Sequence, residues 1–405
     1  KIKYQRKKKP YGVITNIIER ANKTFVGTLI KYRGKYFITR INGRFHTDIF
    51  VRDIKNARIN DKVLTEIKNW GNPDLNKLPL GEIVEVFGKS GDPVVEELAI
   101  IKQYGLPLEF PKNVYESAKN IDKKIKKEVI DKRKDFRNLP TLTIDPKSAK
   151  DYDDAISFVR SKNRAILYVH IADVSYYFNK DNPLYSEAFK RGNSYYFPKR
   201  VIPMIPKRLS NKICSLRPNE DKLTITVETH FNENMKIISQ KVSESIINSD
   251  IRLTYEEVDD YFDKKSTDFP KKIKNMLRDM RMLSNILTKR KISAGYLNFD
   301  LPDSNYIFDE EGNIEDIKRE VETESHKLIE NFMVLANQYI SKELNKKAQT
   351  TLYRIHEIPE REDIVNIKNL MKNYGINIKL KNDFNKTLQQ VLKSSKNEDF
   401  KRVFN

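Results

Sequence analysis

The sequence predicts a multidomain protein in which a small N-terminal β-barrel precedes a large mixed α+β domain. The chain has 405 residues, which is too long for one ordinary core. Short strand-like segments fill the first part, and strands alternate with long amphipathic helices later. The predicted boundaries are 1–88 for the barrel, 89–138 for a connector with a helix, and 139–405 for the larger domain.

The barrel is predicted from short apolar segments that turn signals such as Arg33-Gly34 and Asn60-Asp61 separate. The predicted strands are GVITNIIE, TFVGTLIKY, KYFITRI, DIFVRDI, DKVLTEIKNW and GEIVEVFG. Aromatic residues lie among the lysines and arginines here, namely Phe25, Tyr32, Tyr36, Phe37 and Phe45. An OB-type or cold-shock barrel uses this combination to stack bases over a positive groove. Alternation also favours burial for some of these aromatics, so no single stacking residue is assigned.

Helices are predicted in the rest of the chain from charge and apolar periodicity. The connector carries a lysine-rich helical stretch, ESAKNIDKKIKKEVIDKRKDF. The larger domain has two long amphipathic patterns, over Tyr255–Arg290 and Glu324–Asn345. This mixture indicates an α+β domain rather than an all-β one.

The charge balance points to an anionic partner. The formal net charge is +20, and the sequence pI is near 9.5. A surplus of this size is typical of proteins that bind an anionic polymer. A lysine-rich composition inherited from an AT-rich genome is the alternative explanation. Charge alone does not distinguish RNA, DNA and membrane as partners.

Other bulk features favour a cytoplasmic protein that does not cross a membrane. The sequence has no apolar run of about eighteen residues, the length that a membrane span needs. The N-terminal KIKYQRKKKP is not followed by an apolar stretch, so no secretory signal is predicted. Cys214 is the single cysteine, which excludes an internal disulfide and suits a reducing compartment.

Four aspartates in the segment TLTIDPKSAKDYDDAISFV predict a metal site. Asp145 lies at the end of a predicted strand, and Asp151, Asp153 and Asp154 lie in the loop before the next strand. Carboxylates within ~5 Å of one another repel by about 3 kcal/mol per pair at an effective dielectric of 20, so cations are needed to neutralise them. Oxygen ligands without histidine or thiolate favour Mg²⁺ or Mn²⁺. Such ions support phosphodiester hydrolysis.

Three other interpretations of the cluster were weighed. An EF-hand calcium loop counted from Asp151 would need a ligand at its fifth position and glycine at its sixth, where Ala155 and Ile156 stand. A zinc site would need histidine or cysteine ligands, and the five histidines are scattered without ligand spacing. Solvated turn aspartates or a helix N-cap remain an alternative on spacing alone, but neither explains so many carboxylates between two strands.

The aspartate segment closely resembles the signature of the catalytic domain shared by ribonuclease R and ribonuclease II. Further matching segments follow in the family's order: VHIADVSYYF, YYFPKRVIPMIPKRLSNKICSL, DIRLTYEEV, SHKLIENFMVLAN and YRIHEIP. Upstream, IIERANKTFVG and GDPVVEELAIIKQYGLPLEFP resemble the second cold-shock domain and connector of ribonuclease R. The resemblance implies an OB-type cold-shock barrel followed by a ribonuclease II-type catalytic domain, and it runs from about Tyr11 to Glu360.

The resemblance also implies roles for particular residues. Asp145, Asp151 and Asp154 match the family's metal-binding aspartates, and Asp153 matches the aspartate most critical for the chemical step. Tyr196 matches an aromatic that stacks on the 3′-terminal base. Glu330 matches a glutamate near the terminal ribose, where a carboxylate can accept a hydrogen bond from the 2′-hydroxyl. The neighbouring Asn331 stands where relatives often have a second glutamate. His170, Asp173, Cys214 and His356 are expected to be core or supporting residues.

The implied activity is Mg²⁺-dependent hydrolytic 3′→5′ exoribonuclease action. Two Mg²⁺ ions are expected, with Mn²⁺ as an alternative. The enzyme would remove nucleotides processively from the 3′ ends of single-stranded RNA as nucleoside 5′-monophosphates, acting as a monomer in the cytoplasm. Non-catalytic RNA binding, or another kind of Mg²⁺-dependent nuclease, is the alternative function.

The chain departs from the family pattern at both ends. No first cold-shock domain precedes the barrel, and no Ser-Pro-Ile-Arg-Arg-Tyr segment occurs before Asn405. In the family that arginine pair contacts the scissile phosphate region, and charged clamps of this kind contribute strongly to rate. We therefore expect the sequence to be a fragment of a longer enzyme, and the fragment alone to be slow or inactive.

Overall fold

The computed structural model describes most of the chain between residues 15 and 347. The described residues are 2–3, 11–12, 15–40, 47–72, 75, 77–265, 267–297, 303–309, 314–347, 353, 355, 360–373, 385–386 and 388–389. They belong to two compact units, of which one comprises Lys1–Pro111 with Ala188–Met204 and the other Lys112–Glu187 with Ile205–Asn405. The division into three domains at residues 88 and 138 stays a prediction.

Up to Pro111, the elements of the first unit are mostly strands. In chain order they are β1 (Ile2–Lys3), β2 (Tyr11–Gly12), β3 (Thr24–Tyr32), β4 (Lys35–Arg40), β5 (Ile49–Val51), β6 (Asp61–Asn69), β7 (Leu80–Lys89) and helix α1 (Pro93–Gln103).

The following elements alternate strands with helices. They are α2 (Lys112–Asn120), α3 (Lys127–Ile130), β8 (Lys134–Asp135), β9 (Leu142–Asp145), β10 (Asp154–Arg160), β11 (Arg164–Ala172), α4 (Pro183–Arg191), β12 (Tyr195–Tyr196), β13 (Val201–Ile202), β14 (Asp221–Asn232), β15 (Ile237–Asn248), β16 (Ile251–Thr254), α5 (Tyr255–Phe262), α6 (Lys271–Ser293), β17 (Asp303–Phe308), β18 (Ile314–Glu320), α7 (Glu324–Lys347) and α8 (Arg361–Asn373).

Five strands of the first unit close into a barrel in the order β3-β4-β5-β7-β6. Alternate residues of these strands point inward, and Leu29, Ile38, Ile49, Val63 and Ile83 are each fully buried in its core. Closure explains why such short strands are stable, because a closed barrel leaves no unpaired sheet edge. The predicted small barrel is therefore present.

The first predicted strand, GVITNIIE, is wrong over residues 15–19, although its first residue, Gly12, lies in β2. Residues 15–19 form no strand and their side chains are exposed. Ile17 is 50% exposed and Ile18 is 99% exposed. The segment resembled a strand by composition, but these residues pair with no strand and contribute nothing to the barrel core. Val13 and Ile14 lie outside the described residues.

Two helix predictions are also corrected in extent. The pattern over Tyr255–Arg290 is two helices, α5 and α6, and Pro270 stands immediately before α6. Proline lacks the N–H that an uninterrupted helix would use, so the pattern divides there. The lysine-rich connector stretch begins in α2 and continues only in the single-turn α3. The helix predicted over Glu324–Asn345 is present as α7.

The second unit is built on a seven-stranded sheet with the order β16-β9-β10-β11-β14-β15-β8. The pairs β16·β9 and β15·β8 are parallel, and the other neighbours are antiparallel. Helices α5, α6 and α7 share one apolar core with the sheet, to which Leu142, Leu253, Leu277 and Phe332 contribute. Among the described helices, none is both long and apolar enough to cross a membrane.

Candidate active site

The antiparallel pair β9 and β10 brings the predicted aspartates to one end of the sheet. Asp145 is the last residue of β9, and Asp154 is the first residue of β10. Because the two strands are antiparallel, these positions lie at the same end of the pair. Residues 146–153 connect them and carry the other two aspartates. All four aspartates of the predicted site are therefore held in one short hairpin.

Burial and mutual repulsion disfavour the charged forms of these carboxylates. Burial raises the pKa of Asp154 to about 7, with further contributions from Asp145 and Asp153. Burial also raises the pKa of Asp153 to about 6, and the negative charge of Asp151 adds to this shift. The carboxylates therefore lie within electrostatic range of one another, and their close placement costs free energy when no cation is bound.

Asp145 is the carboxylate with the most defined partners. It is 7% exposed, and burial raises its pKa to about 6. A hydrogen bond that the Thr143 hydroxyl donates to Oδ2, at 2.6 Å, and the positive charge of Arg252 both oppose this shift. Arg252 also donates to the carbonyl of Pro146 at 2.6 Å, so it is fixed at the start of the aspartate loop.

The donor set suits a hard cation, although the carboxylates do not form a complete coordination site in this structure. Within the described ranges, no three histidine, cysteine, aspartate or glutamate side chains are gathered closely enough to hold a metal ion. The four aspartates offer only oxygen donors, which are the ligands that Mg²⁺, Mn²⁺ and Ca²⁺ prefer. The residues present therefore fit a hard divalent cation that would draw the carboxylates together.

A stacked tyrosine–histidine pair borders the carboxylates. Thr254 pairs in register with Asp145, and Tyr255 follows it at the start of α5. Burial raises the pKa of Tyr255 to about 12, and the charges of Asp154 and Asp145 add to the shift. Its ring stacks on that of His326 with centroids 3.8 Å apart and planes 13° apart. This pair places α7 beside the aspartate end of the sheet.

The two residues predicted to contact RNA lie on different elements. Tyr196 is in β12 and is 71% exposed, whereas the side chain of Tyr195 is half-buried, as alternation along a strand predicts. Glu330 lies on α7 and pairs with Lys291 at 2.9 Å. Asn331 is buried and donates to the hydroxyls of Ser284 and Thr288, so it joins α7 to α6.

The other polar residues in the segments that resemble the family have structural surroundings. His170 is fully buried between the hydroxyls of Ser157 and Thr226, and burial lowers its pKa to about 3. Burial raises the pKa of the Cys214 thiol to about 12, which makes it a poor nucleophile at neutral pH. Asp173 forms a buried ion pair with Arg133. His356 lies outside the described residues.

The barrel carries a separate open groove with the chemistry of a nucleic-acid surface. Phe37 on β4 and Phe50 on β5 have ring centroids 5.7 Å apart. The groove has a volume of about 430 Å³, and its lining includes the cationic side chains of Lys35, Arg52 and Lys77. Aromatic faces beside cations suit single-stranded nucleic acid, because bases stack while phosphates meet positive charge. Phe45, one of the predicted aromatics, lies outside the described residues.

Sequence reasoning missed several residues that surround the aspartates, notably Thr143, Arg252, Tyr255, His326 and Ser215. Thr143 had a local signal, because it lies two residues before Asp145 on the same strand and therefore shares its face. The other four residues lie in segments that resemble the ribonuclease family, but no pattern in those segments indicates a role for them.

Two family matches cover most of the chain. Residues 133–405 match the RNB domain, and residues 37–111 match a cold shock domain. Ribonuclease R of Aquifex aeolicus is 33% identical over 397 residues, which are 96% of this chain and 55% of that protein. Ribonuclease R of Thermotoga maritima is 34% identical over 391 residues, 95% of this chain and 55% of that protein. The chain thus spans about half the length of these relatives.

Solved structures show the same fold. RNase R of Mycoplasma genitalium in complex with double-stranded RNA has a TM-score of 0.86 and 24% identity, covering 97% of this chain and 70% of that one. Yeast Ssd1, described as a pseudonuclease, has a TM-score of 0.71 and 17% identity, covering 98% of this chain and 50% of that one. The predicted order of a cold-shock barrel and a ribonuclease II-type domain is confirmed. On the match over residues 133–405, the chain belongs to the RNB-domain family, and within that family it is similar to ribonuclease R.

Proposed function

We propose that the protein is a divalent-cation-dependent 3′→5′ exoribonuclease that hydrolyses single-stranded RNA processively to nucleoside 5′-monophosphates. The observation that carries the proposal is the hairpin of four aspartates at one end of the β9·β10 pair, inside an RNB domain. The net charge of +20 supports an anionic polymer as substrate. A monomeric, cytoplasmic protein is part of the same proposal.

The cations proposed for this site are two Mg²⁺ ions, with Mn²⁺ as an alternative. Asp145, Asp151 and Asp154 would hold them, and Asp153 would act in the chemical step. Bound there, divalent cations supply Lewis-acid stabilisation of the phosphodiester oxygens and activation of water. The raised pKa values of Asp145, Asp153 and Asp154 support the proposal, since a bound cation would stabilise the charged forms of these carboxylates.

Two further residues are proposed to handle the RNA 3′ end. Tyr196 presents an exposed ring on which a terminal base can stack. Glu330 would accept a hydrogen bond from a ribose 2′-hydroxyl, which DNA lacks. Because Lys291 pairs with Glu330, the glutamate side chain is held in one orientation on α7 in the absence of RNA.

The proposal is tested by the cleavage pattern of the full-length protein. We expect single-stranded RNA labelled at its 5′ end to give a descending ladder with a very short final product, and RNA labelled at its 3′ end to release labelled mononucleotide at once. Chelation by EDTA should stop both reactions, and added Mg²⁺ should restore them. An equal rate on single-stranded DNA, or cuts at internal sites, would contradict the proposal.

The groove on the barrel is proposed to bind RNA that has not yet reached the aspartates. Stacking on an aromatic side chain contributes about 1–3 kcal/mol per base, so loss of one ring should weaken binding by roughly 5- to 150-fold. We expect Phe50→Ala to weaken binding of a single-stranded RNA oligomer to this extent, measured by fluorescence anisotropy in EDTA. Tyr104→Ala is the matched control, because Tyr104 is an exposed aromatic of the same unit outside this groove. Equal affinity of the Phe50 variant and wild type would exclude the groove as an RNA site.

A second candidate is an RNA-binding protein of the same fold without nuclease activity. The structural match to yeast Ssd1 supports this candidate, since that neighbour is described as a pseudonuclease. The presence of all four aspartates favours the enzyme. RNA binding by the full-length protein, without any Mg²⁺- or Mn²⁺-dependent cleavage, would support the second candidate.

A further inference from the structure

The aspartate loop is held on one side by a buried serine that lies far from it in sequence. The hydroxyl of Ser215 accepts a hydrogen bond from the Tyr152 N–H at 3.1 Å and donates one to the Lys150 carbonyl at 3.1 Å. The next residue, Leu216, donates its N–H to the Tyr152 carbonyl at 2.8 Å. Tyr152 is the residue between Asp151 and Asp153, so these bonds fix the backbone on both sides of Asp151 and immediately before Asp153.

The side chain of Ser215 is shielded from water. It is fully buried, so removal of its hydroxyl would leave the Tyr152 N–H and the Lys150 carbonyl without a partner on that side. Both bonds are partly buried, and a polar group that loses its partner where water has limited access is unfavourable, so we expect the loop to shift. Small shifts of this kind matter at a metal site, where the partners that orient the ligands affect affinity strongly.

The segment that carries Ser215 is itself held rigidly. It follows a π-helical turn, Leu209–Ile213. The ammonium of Lys222 donates to the carbonyls of Lys212 and Ile213 at 2.7 and 3.2 Å, and its side chain is only 4% exposed. Glu220 pairs with Lys222 at 2.9 Å, which compensates the buried charge. The C-terminal end of the turn is thus fixed to the beginning of β14.

Other bonds hold the remainder of the loop. The Asp153 carbonyl accepts from the Ala172 N–H at 2.9 Å, and the Pro146 carbonyl accepts from Arg252 at 2.6 Å. The Arg252 guanidinium also lies over the Tyr152 ring, 5.5 Å from its centroid. Among these contacts, Ser215 is the side chain that bonds the loop on both sides of Asp151.

From this geometry we infer that Ser215 is a positioning residue for the cation site, which sets the places of the Asp151 and Asp153 carboxylates through the backbone of the loop. The inference rests on the proposed function, because it assumes that the aspartates bind divalent cations. Ser215 itself contacts neither cation nor RNA.

The test measures Mn²⁺ affinity of the full-length protein by electron paramagnetic resonance titration. Loss of a group that orients metal ligands typically weakens affinity 10- to 100-fold, and we expect this for Ser215→Ala. The matched control is Ser245→Ala, because Ser245 is also fully buried and bonds to the hydroxyls of Thr224 and Thr226 in the sheet. Both variants should lower the thermal midpoint, whereas only Ser215→Ala should weaken Mn²⁺ binding.

A second readout needs no metal. Amide hydrogen exchange of Tyr152 in the metal-free protein should become at least tenfold faster in Ser215→Ala and stay unchanged in Ser245→Ala. Unchanged Mn²⁺ affinity in Ser215→Ala, or equal weakening in both variants, would overturn the inference. If wild type itself binds no Mn²⁺, the proposed function fails and this inference with it. If wild type binds Mn²⁺ and Ser215→Ala binds it equally well, only this inference fails, so the two failures are distinguishable.

Discussion

Asp153→Asn is expected to reduce RNA hydrolysis by about 10³-fold or more while RNA binding is kept. Removal of a single group that acts on the transition state costs about 10²- to 10³-fold in rate, and a residue that acts as part of a unit can cost more. Asp153 is placed for such a role, since it is the loop residue next to Asp154 and its carbonyl is fixed by Ala172. The amide keeps the shape of the side chain and removes its charge, so the fold is not disturbed.

The measurement is the single-turnover rate of shortening of a 5′-labelled single-stranded RNA in Mg²⁺, with affinity measured separately in EDTA. Because the variant removes a negative charge, its RNA affinity should equal or slightly exceed that of wild type. Asp279→Asn is the matched control. Asp279 is likewise a carboxylate of the second unit, but it lies on α6 and pairs with Arg160 at 3.2 Å. A rate for Asp153→Asn within tenfold of wild type would remove Asp153 from the chemical step.

The parts of the site that could be predicted are the parts that are local in sequence. Asp145, Asp151, Asp153 and Asp154 fall within ten residues, so a strand, a loop and a strand suffice to bring them together. The barrel was predictable for the same reason, because alternation within each strand marks its buried face. The segment at residues 15–19 shows the limit of this reasoning, since apolar composition does not guarantee a pairing partner.

The residues that were missed depend on long-range pairing. Arg252 reaches the aspartates because β16 pairs in parallel with β9, a register that the sequence of neither strand specifies. Ser215 reaches Tyr152 across 63 positions of the chain. His326 contacts Tyr255 because α7 packs in the same apolar core as α5. Such contacts are set by the packing of whole elements, so local spacing carries no signal for them.

Arg133→Met is expected to have the largest effect on stability, lowering the free energy of unfolding of the second unit by about 3–5 kcal/mol. Arg133 and Asp173 pair at 2.6 Å, and both side chains are 4% exposed. Arg133 also donates to the carbonyls of Thr224 and Ser245, at 3.3 and 3.5 Å. Removing the arginine leaves the Asp173 carboxylate buried without its main positive partner, which is the costly outcome for a buried ion pair.

A double variant separates this cause from lost packing. Arg133→Met combined with Asp173→Asn should recover at least 1 kcal/mol relative to the single variant. The measurement is hydrogen exchange of the Thr224 and Ser245 amides, which reports on this sheet and not on the barrel.

Arg137→Met is the control, because the Arg137–Asp135 pair is equally short at 2.6 Å but more exposed, at 34% and 46%. Such a surface pair contributes about 1 kcal/mol or less, so equal losses from the two arginine variants would show that burial of the Arg133–Asp173 pair is not the cause.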